Sequence, residues 1–233
     1  MKGVWNILGK LFIVCENLKD EVILLCKKIT ENYNMKFMPQ IIYVDSKYHN
    51  TPQKLKLKLQ EIIDENRDYE TITLLYGQCG NAVFGLKSDY CKLILPKVSD
   101  CISLYLGGDE KRKNFKKSER TYFFTKRYIE NDNSLYNEII KMKEKYGDKK
   151  AIKMYKMIMN NYEYIRIINT NAYDVEDIVE KVKYLCDELA LSYEVVEGDL
   201  SIMEKALLGM VDEEFIVKDI SQKINSKDFL GGE

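Results

Sequence analysis

The side chains of this sequence best suited to metal or nucleophilic chemistry are six cysteines, at 15, 26, 79, 91, 101 and 186, and a single histidine, His49. Cys15 ends the apolar run KLFIVC, Cys79 follows the run Thr71–Tyr76, and Cys101 lies in the loop after the strand-like stretch 91–96 that stops at Pro96. His49 follows a further β-type run, 37–44. In parallel α/β sheets ligands bind outside the carboxyl ends of the strands, where the loops into the helices gather. If these runs are parallel neighbours, Cys15, His49, Cys79 and Cys101 face one crevice although they are far apart in sequence. Three thiolates with one imidazole can bind zinc tetrahedrally, and three thiolates alone can hold a 4Fe–4S cluster with one iron left open. A helix N-terminus beside such a thiol would lower its pKa and favour the thiolate. Asp100, Lys97 and His49 are the candidates for proton transfer or for contact with an anionic substrate.

The same turn admits a second chemistry. Tyr76-Gly77-Gln78-Cys79-Gly80-Asn81, with Gly85 beyond it, is a loose version of a nucleotide- or S-adenosylmethionine-binding turn in which Gly77, Gly80 and Asn81 would cradle the ligand. It is not G-x-G-x-x-G, Gln78-Cys79 fills space the ligand would need, and Lys97 stands after the next strand in place of an acid. The remaining thiols read as structural. Cys26 and Cys186 lie on the apolar faces of predicted helices, as free cysteines often do, and Cys91 opens a strand at the end opposite the crevice. No C-x-x-C pair occurs, and six cysteines are too sparse for a secreted disulfide scaffold of this length.

Strand and helix patterns alternate along most of the chain. Residues 10–15 read as a buried strand, 18–34 as a helix with acids early and lysines late, and 37–44 as a strand. Thr51 and Pro52 open a helix with Leu55, Leu57, Leu59, Ile62 and Ile63 as its apolar residues. After the 71–76 strand the chain reads as helix-compatible up to Leu86. The basic run 109–120 reads as a solvated face, with a flap over an anionic ligand as the other option. Residues 121–129 are β-type, and 135–160 read as two helices broken at Gly147-Asp148. A strand at 164–168, a helix capped by Asp174, a strand at 192–196, a helix ending near Gly209 and a strand at 213–220 complete the chain. The expectation is an α/β fold: a doubly wound, mainly parallel sheet with helices on both faces, in one domain over 1–233 with room for a helical insertion at about 109–160.

Totals narrow the function classes. The chain has 233 residues, enough for a full core, and a formal net charge of −1, which gives no global pull toward nucleic acid or an anionic membrane. The start lacks a small-residue cleavage site, and no run of ~18 apolar residues exists to span a bilayer. A cytoplasmic protein with no nucleic-acid or membrane partner is expected.

On these residues the sequence resembles the family catalogued as domain of unknown function 1638, from archaea and anaerobic bacteria. Tyr76 through Leu86 follows its Y-G-x-C-G-x-x-x-x-G-L turn, and Leu95 to Gly107 follows its I-P-R-x-H-D-C-I-x-x-x-L-G segment. Cys15-Glu16, the His49-x-x-Pro52 loop and the Gly198–Gly209 segment are also similar. Lys97 stands for the family's Arg, Ser99 for its His, and Thr121–Tyr128 lacks its Gly-Trp. The resemblance implies proximity to corrinoid-dependent methyltransferases, and the layout of three strand-end cysteines is similar in plan to quinolinate synthase. The expected function is therefore an iron–sulfur- or zinc-binding protein with Cys15, Cys79, Cys101 and His49 as ligand candidates. It would act in methyl-group or one-carbon metabolism on a small-molecule substrate or beside a corrinoid or methyltransferase protein. The alternatives are an S-adenosylmethionine- or nucleotide-binding protein, or a non-catalytic partner of a methyltransferase.

Overall fold

A computed structural model describes residues 9–33 and 39–229. In chain order the elements are β1 (Lys10–Cys15), α1 (Lys19–Tyr33), β2 (Gln40–Val44), α2 (Pro52–Glu65), β3 (Thr71–Leu75), β4 (Lys92–Pro96), α3 (Cys101–Tyr105) and α4 (Asp109–Lys113). Then follow β5 (Thr121–Phe124), α5 (Lys126–Glu130), α6 (Leu135–Tyr146), α7 (Asp148–Ile158), β6 (Tyr164–Asn169), α8 (Glu176–Leu189), β7 (Ser192–Glu197), α9 (Ser201–Leu208) and β8 (Phe215–Lys218). The first residues of the strand expected at 37–44 lie outside the described residues. The fold is α/β with mostly parallel strands, in two compact units: residues 1–109 with 199–233, and residues 110–198.

The first unit is built on a five-stranded sheet in the order β2-β1-β3-β4-β8, parallel except for β8, which pairs antiparallel with β4. From β1 the chain moves outward to β2, then crosses β1 to reach β3. Right-handed crossovers in opposite directions put α1 and α2 on opposite faces. The point where the direction reverses lies between β1 and β3, and the crevice outside it is where doubly wound sheets bind ligands. Leu11 to Val14 on β1 and Ile72, Leu74 and Leu75 on β3 are buried on both sides, as expected of central parallel strands. From the C-terminal part of the chain, α9 packs on β3 and β4 and touches α1.

Three local expectations differ from what is observed. No helix forms between β3 and β4: Cys79, Gly80, Asn81 and Gly85 all adopt positive φ, which a right-handed helix cannot contain, so Ala82–Leu86 is a chain of turns. Leu57 on α2 is 70% exposed, while Leu55, Leu59, Ile62 and Ile63 form the buried stripe. Thr51 precedes α2 without a side-chain capping bond, so Pro52 at the first turn carries the start.

The second unit has a parallel sheet in the order β5-β6-β7. Phe124, Ile165 and Ile167 from the strands meet Ile139, Tyr155, Ile178, Val182 and Leu185 from α6, α7 and α8 in one core. Residues 126–129, expected to extend the strand, belong to α5 instead. The break between α6 and α7 falls at Gly147, whose φ of 80° ends the first helix. In the basic run, Lys117 and Arg120 both pair with Glu163, and Arg112 lies over the Phe123 ring. Those cations are engaged within their own unit.

Candidate functional site

Four loops of the first unit gather at the carboxyl ends of its parallel strands. β1 ends at Cys15, and the chain turns through Glu16–Leu18 with the Asn17 N–H directed at the Cys15 sulfur. The Asn17 carbonyl accepts a 2.6 Å hydrogen bond from Tyr105 Oη of α3, which buttresses this turn across the sheet. After β3 come Tyr76, buried at 2% exposure, and Gly77. A Cβ on Gly77 would meet the Asp100 backbone at 2.6 Å, so only glycine lets the loop after β3 lie against the start of α3. The two segments are then laced together: Gln78 N–H donates to the Val98 carbonyl at 3.1 Å and Cys79 N–H to that of Ser99 at 3.4 Å. A Gly77→Ala chain is expected to lose about 1–3 kcal/mol in denaturant melts, because the obstructing atoms are backbone and cannot swing away.

The loop after β2 closes the other side. Asp45 accepts from Lys47 N–H at 2.8 Å, capping a short turn that carries His49, and Pro52 follows. The Pro52 ring sits 2.9 Å from where a Cβ on Gly80 would be. The same position on Gly85 would meet Lys56 Nζ at 2.9 Å. Gly77, Gly80 and Gly85 thus have their open sides covered by Asp100, Pro52 and Lys56. Asn81 is exposed in a turn of positive φ.

Cys15, Cys79 and Cys101 occupy one electrostatic environment. Burial pushes Cys15 up to about 11 and Cys79 up to about 12, and raises Cys101 well above the usual thiol range. Cys79 feels the charge of Cys15, Cys101 feels both Cys79 and Cys15, and Asp100 acts on Cys79 and Cys101. The helix N-terminus at Cys101 therefore does not produce the depressed pKa expected of it; desolvation wins. Each of the three sulfurs nevertheless faces a backbone N–H, from Asn17, Gly77 and Cys101 itself, that favours the thiolate. Cys26 and Cys186 lack that feature; Cys26 is half-buried on α1 and Cys186 sits in the α8 core. Cys91 contacts Ser88 Oγ at 3.2 Å, at the opposite end of the sheet. All six are free thiols.

The burial of Tyr76 also raises its pKa, and Cys15, Cys79 and Cys101 all act on it electrostatically, which places its hydroxyl within reach of the three thiols' fields. Among the described residues that hydroxyl has no hydrogen-bond partner, and neither does the buried Ser103 Oγ on α3. Sequence reasoning passed over Tyr76 because a tyrosine closing an apolar strand reads as core. The available signal was the phenol itself, since buried tyrosines normally find a partner.

Asp100 caps α3 by accepting from Ser103 N–H at 3.2 Å. Partial desolvation lowers the pKa of His49, an exposed residue, and the Asp100 carboxylate opposes that shift. Removing the carboxylate removes the opposing effect, so Asp100→Asn, which keeps a capping oxygen, should lower the His49 pKa further. An NMR pH titration reads this without ambiguity because the chain has one histidine. Lys97 extends β4, its N–H donating to the Glu214 carbonyl at 2.7 Å. Ser99 is held away by Asp109, which accepts from its N–H at 3.0 Å and from its Oγ–H at 2.5 Å.

Among the described residues, no three His, Cys, Asp or Glu side chains are placed to hold a single metal ion, and no helix is long and apolar enough to cross a membrane. A family model described as a protein of unknown function (DUF1638) matches residues 43–207, a span that includes His49, Tyr76, Cys79 and Cys101 but not Cys15. No curated protein and no solved structure matches the chain significantly.

Proposed function

Since the chain belongs to the DUF1638 family, we propose that Cys15, Cys79 and Cys101 hold an iron–sulfur cluster at the switch point of the first sheet, in a protein of methyl-group or one-carbon metabolism. One observation carries the reading: two buried thiols and the half-buried Cys101, from three strand ends, act on one another, each with a backbone N–H at its sulfur, beside a buried phenol with no partner among the described residues. Proteins seldom leave such a hydroxyl unsatisfied, so the residues fit a bound group that accepts from it.

The donor set favours a cluster over zinc. Three thiolates hold a cubane by three of its irons and leave the fourth open, whereas a tetrahedral zinc would need the exposed His49 as its fourth ligand. When bound, a cluster with an open iron can bind a substrate or pass electrons.

The chain's own residues have separate tasks. Gly77 lets the Cys79 loop and the Cys101 helix approach, and Tyr105 fixes the Cys15 turn. His49, its pKa lowered, is a neutral base at neutral pH beside the Asp100 carboxylate. Lys97 offers a cation to an anionic substrate. The family resemblance is what supports a corrinoid or methyltransferase partner.

The experiment is anaerobic purification of the full chain with iron, sulfide and zinc analysis. Iron and sulfide with broad visible absorption support the reading. Stoichiometric zinc without iron replaces the cluster by zinc, and metal-free protein ends it. Co-purification with a corrinoid protein tests the partner.

A further inference from the structure

Resting on the cluster reading, we propose that Tyr76 is the site's hydrogen-bond donor, its phenolic O–H pointing a proton at a sulfur of the group that the three cysteines hold. The hydroxyl is buried just past the end of β3, one residue before the glycine that brings the two cysteine loops together, and it bonds to no group among the described residues. Neighbouring groups are engaged: the Asn17 carbonyl with Tyr105, Asp100 with the Ser103 N–H, and Ser99 with Asp109, while Ser103 Oγ on α3 is a second buried hydroxyl without a partner among the described residues. A buried donor left unsatisfied costs stability, and that cost is recovered only when an acceptor arrives. Sulfides and thiolates of a cluster are anionic acceptors, and hydrogen bonds to them favour the reduced, more negative state.

Tyr76 is therefore a positioning and tuning residue and not a ligand. Its signature is opposite behaviour in the two states of the protein. Without the cluster, Tyr76→Phe deletes an orphan hydroxyl while keeping the ring, so the variant should melt at or above the wild-type temperature. With the cluster, the wild type gains a hydrogen bond that the variant cannot make, so the loading-induced rise in melting temperature should be smaller in Tyr76→Phe. Its iron content should be unchanged and its midpoint potential lower.

The full chain, wild type and Tyr76→Phe, is reconstituted anaerobically with ferrous iron and sulfide, then followed by thermal melting and redox titration. Equal destabilisation of the variant in both states marks a hydroxyl satisfied by a buried water and overturns the role. An unchanged midpoint potential in a loaded variant overturns it as well. A wild type that takes up no iron removes the cluster and the Tyr76 role together, which separates failure of the first reading from failure of this one.

Discussion

A Cys79→Ala chain prepared without oxygen is expected to retain at most about a tenth of the wild-type iron, since even partners that only orient a ligand are worth 10–100-fold in metal affinity. The backbone of Cys79 is what sets this ligand candidate apart from the core cysteines. Cys79 adopts φ of 46°, in the left-handed region, while its side chain is only 8% exposed. A non-glycine residue there costs roughly 1–2 kcal/mol, and such strain persists where surrounding contacts enforce it, most often at functional sites. Here the enforcing contacts are the bonds from Gln78 and Cys79 to Val98 and Ser99. Alanine retains the strain and glycine relieves it. Cys79→Gly should therefore exceed Cys79→Ala in stability by about 1 kcal/mol in denaturant melts, although neither binds iron. At Cys186, inside α8, the order should reverse, with glycine the less stable by about 1 kcal/mol. Wild-type iron content in Cys79→Ala would remove Cys79 from the site.

Periodicity made most of the frame legible. β1 spans the residues its apolar run marked, and Gly147 separates α6 from α7 because nothing else in 135–160 interrupts the helical pattern. The same reasoning failed after Cys79, where five residues with helical composition are overruled by four positive-φ positions around them. Composition reports what a side chain tolerates; the turn is imposed by Pro52, Lys56 and Asp100 packing on glycines from elsewhere in the chain. The strand at 213–220 was readable as β-type, but its antiparallel pairing with β4 depends on which edge remained open once β1–β4 had assembled. At the site, strand polarity put Cys15, Cys79 and Cys101 at the carboxyl ends of strands β1, β3 and β4, which are parallel neighbours. What it could not supply was the environment of each sulfur. Whether a thiol faces a backbone N–H, or a carboxylate, or only apolar neighbours depends on loop conformation, and those are the contacts that decide its protonation.

Protonation yields the second large effect, a steep pH dependence of cluster or metal uptake. With Cys15 raised to about 11, Cys79 to about 12 and Cys101 well above the usual thiol range, all three are neutral thiols in the unloaded protein at pH 7. Metal binds the thiolate, so loading must expel a proton from each. Apparent affinity should then climb by up to about a thousandfold per pH unit from pH 6 to 9, three protons leaving per site. Zinc or ferrous iron titrated into weakly buffered protein with a pH indicator counts them directly. One proton released per protein chain would mean that a single cysteine binds. The same pKa values set the alkaline limit of the unloaded chain. In the unfolded state these thiols ionise near 9, whereas the fold holds them protonated. Stability is fully present below pH 9 and is lost as pH rises through 11 and 12, by an amount on the order of a few kcal/mol. Loading removes the linkage, because bound thiolates have no proton left to lose. Melting temperature plotted from pH 8 to 11 should therefore fall for the unloaded wild type and stay flatter for the loaded one. Cys79→Ala should lie between them, since it retains two of the three thiols with raised pKa.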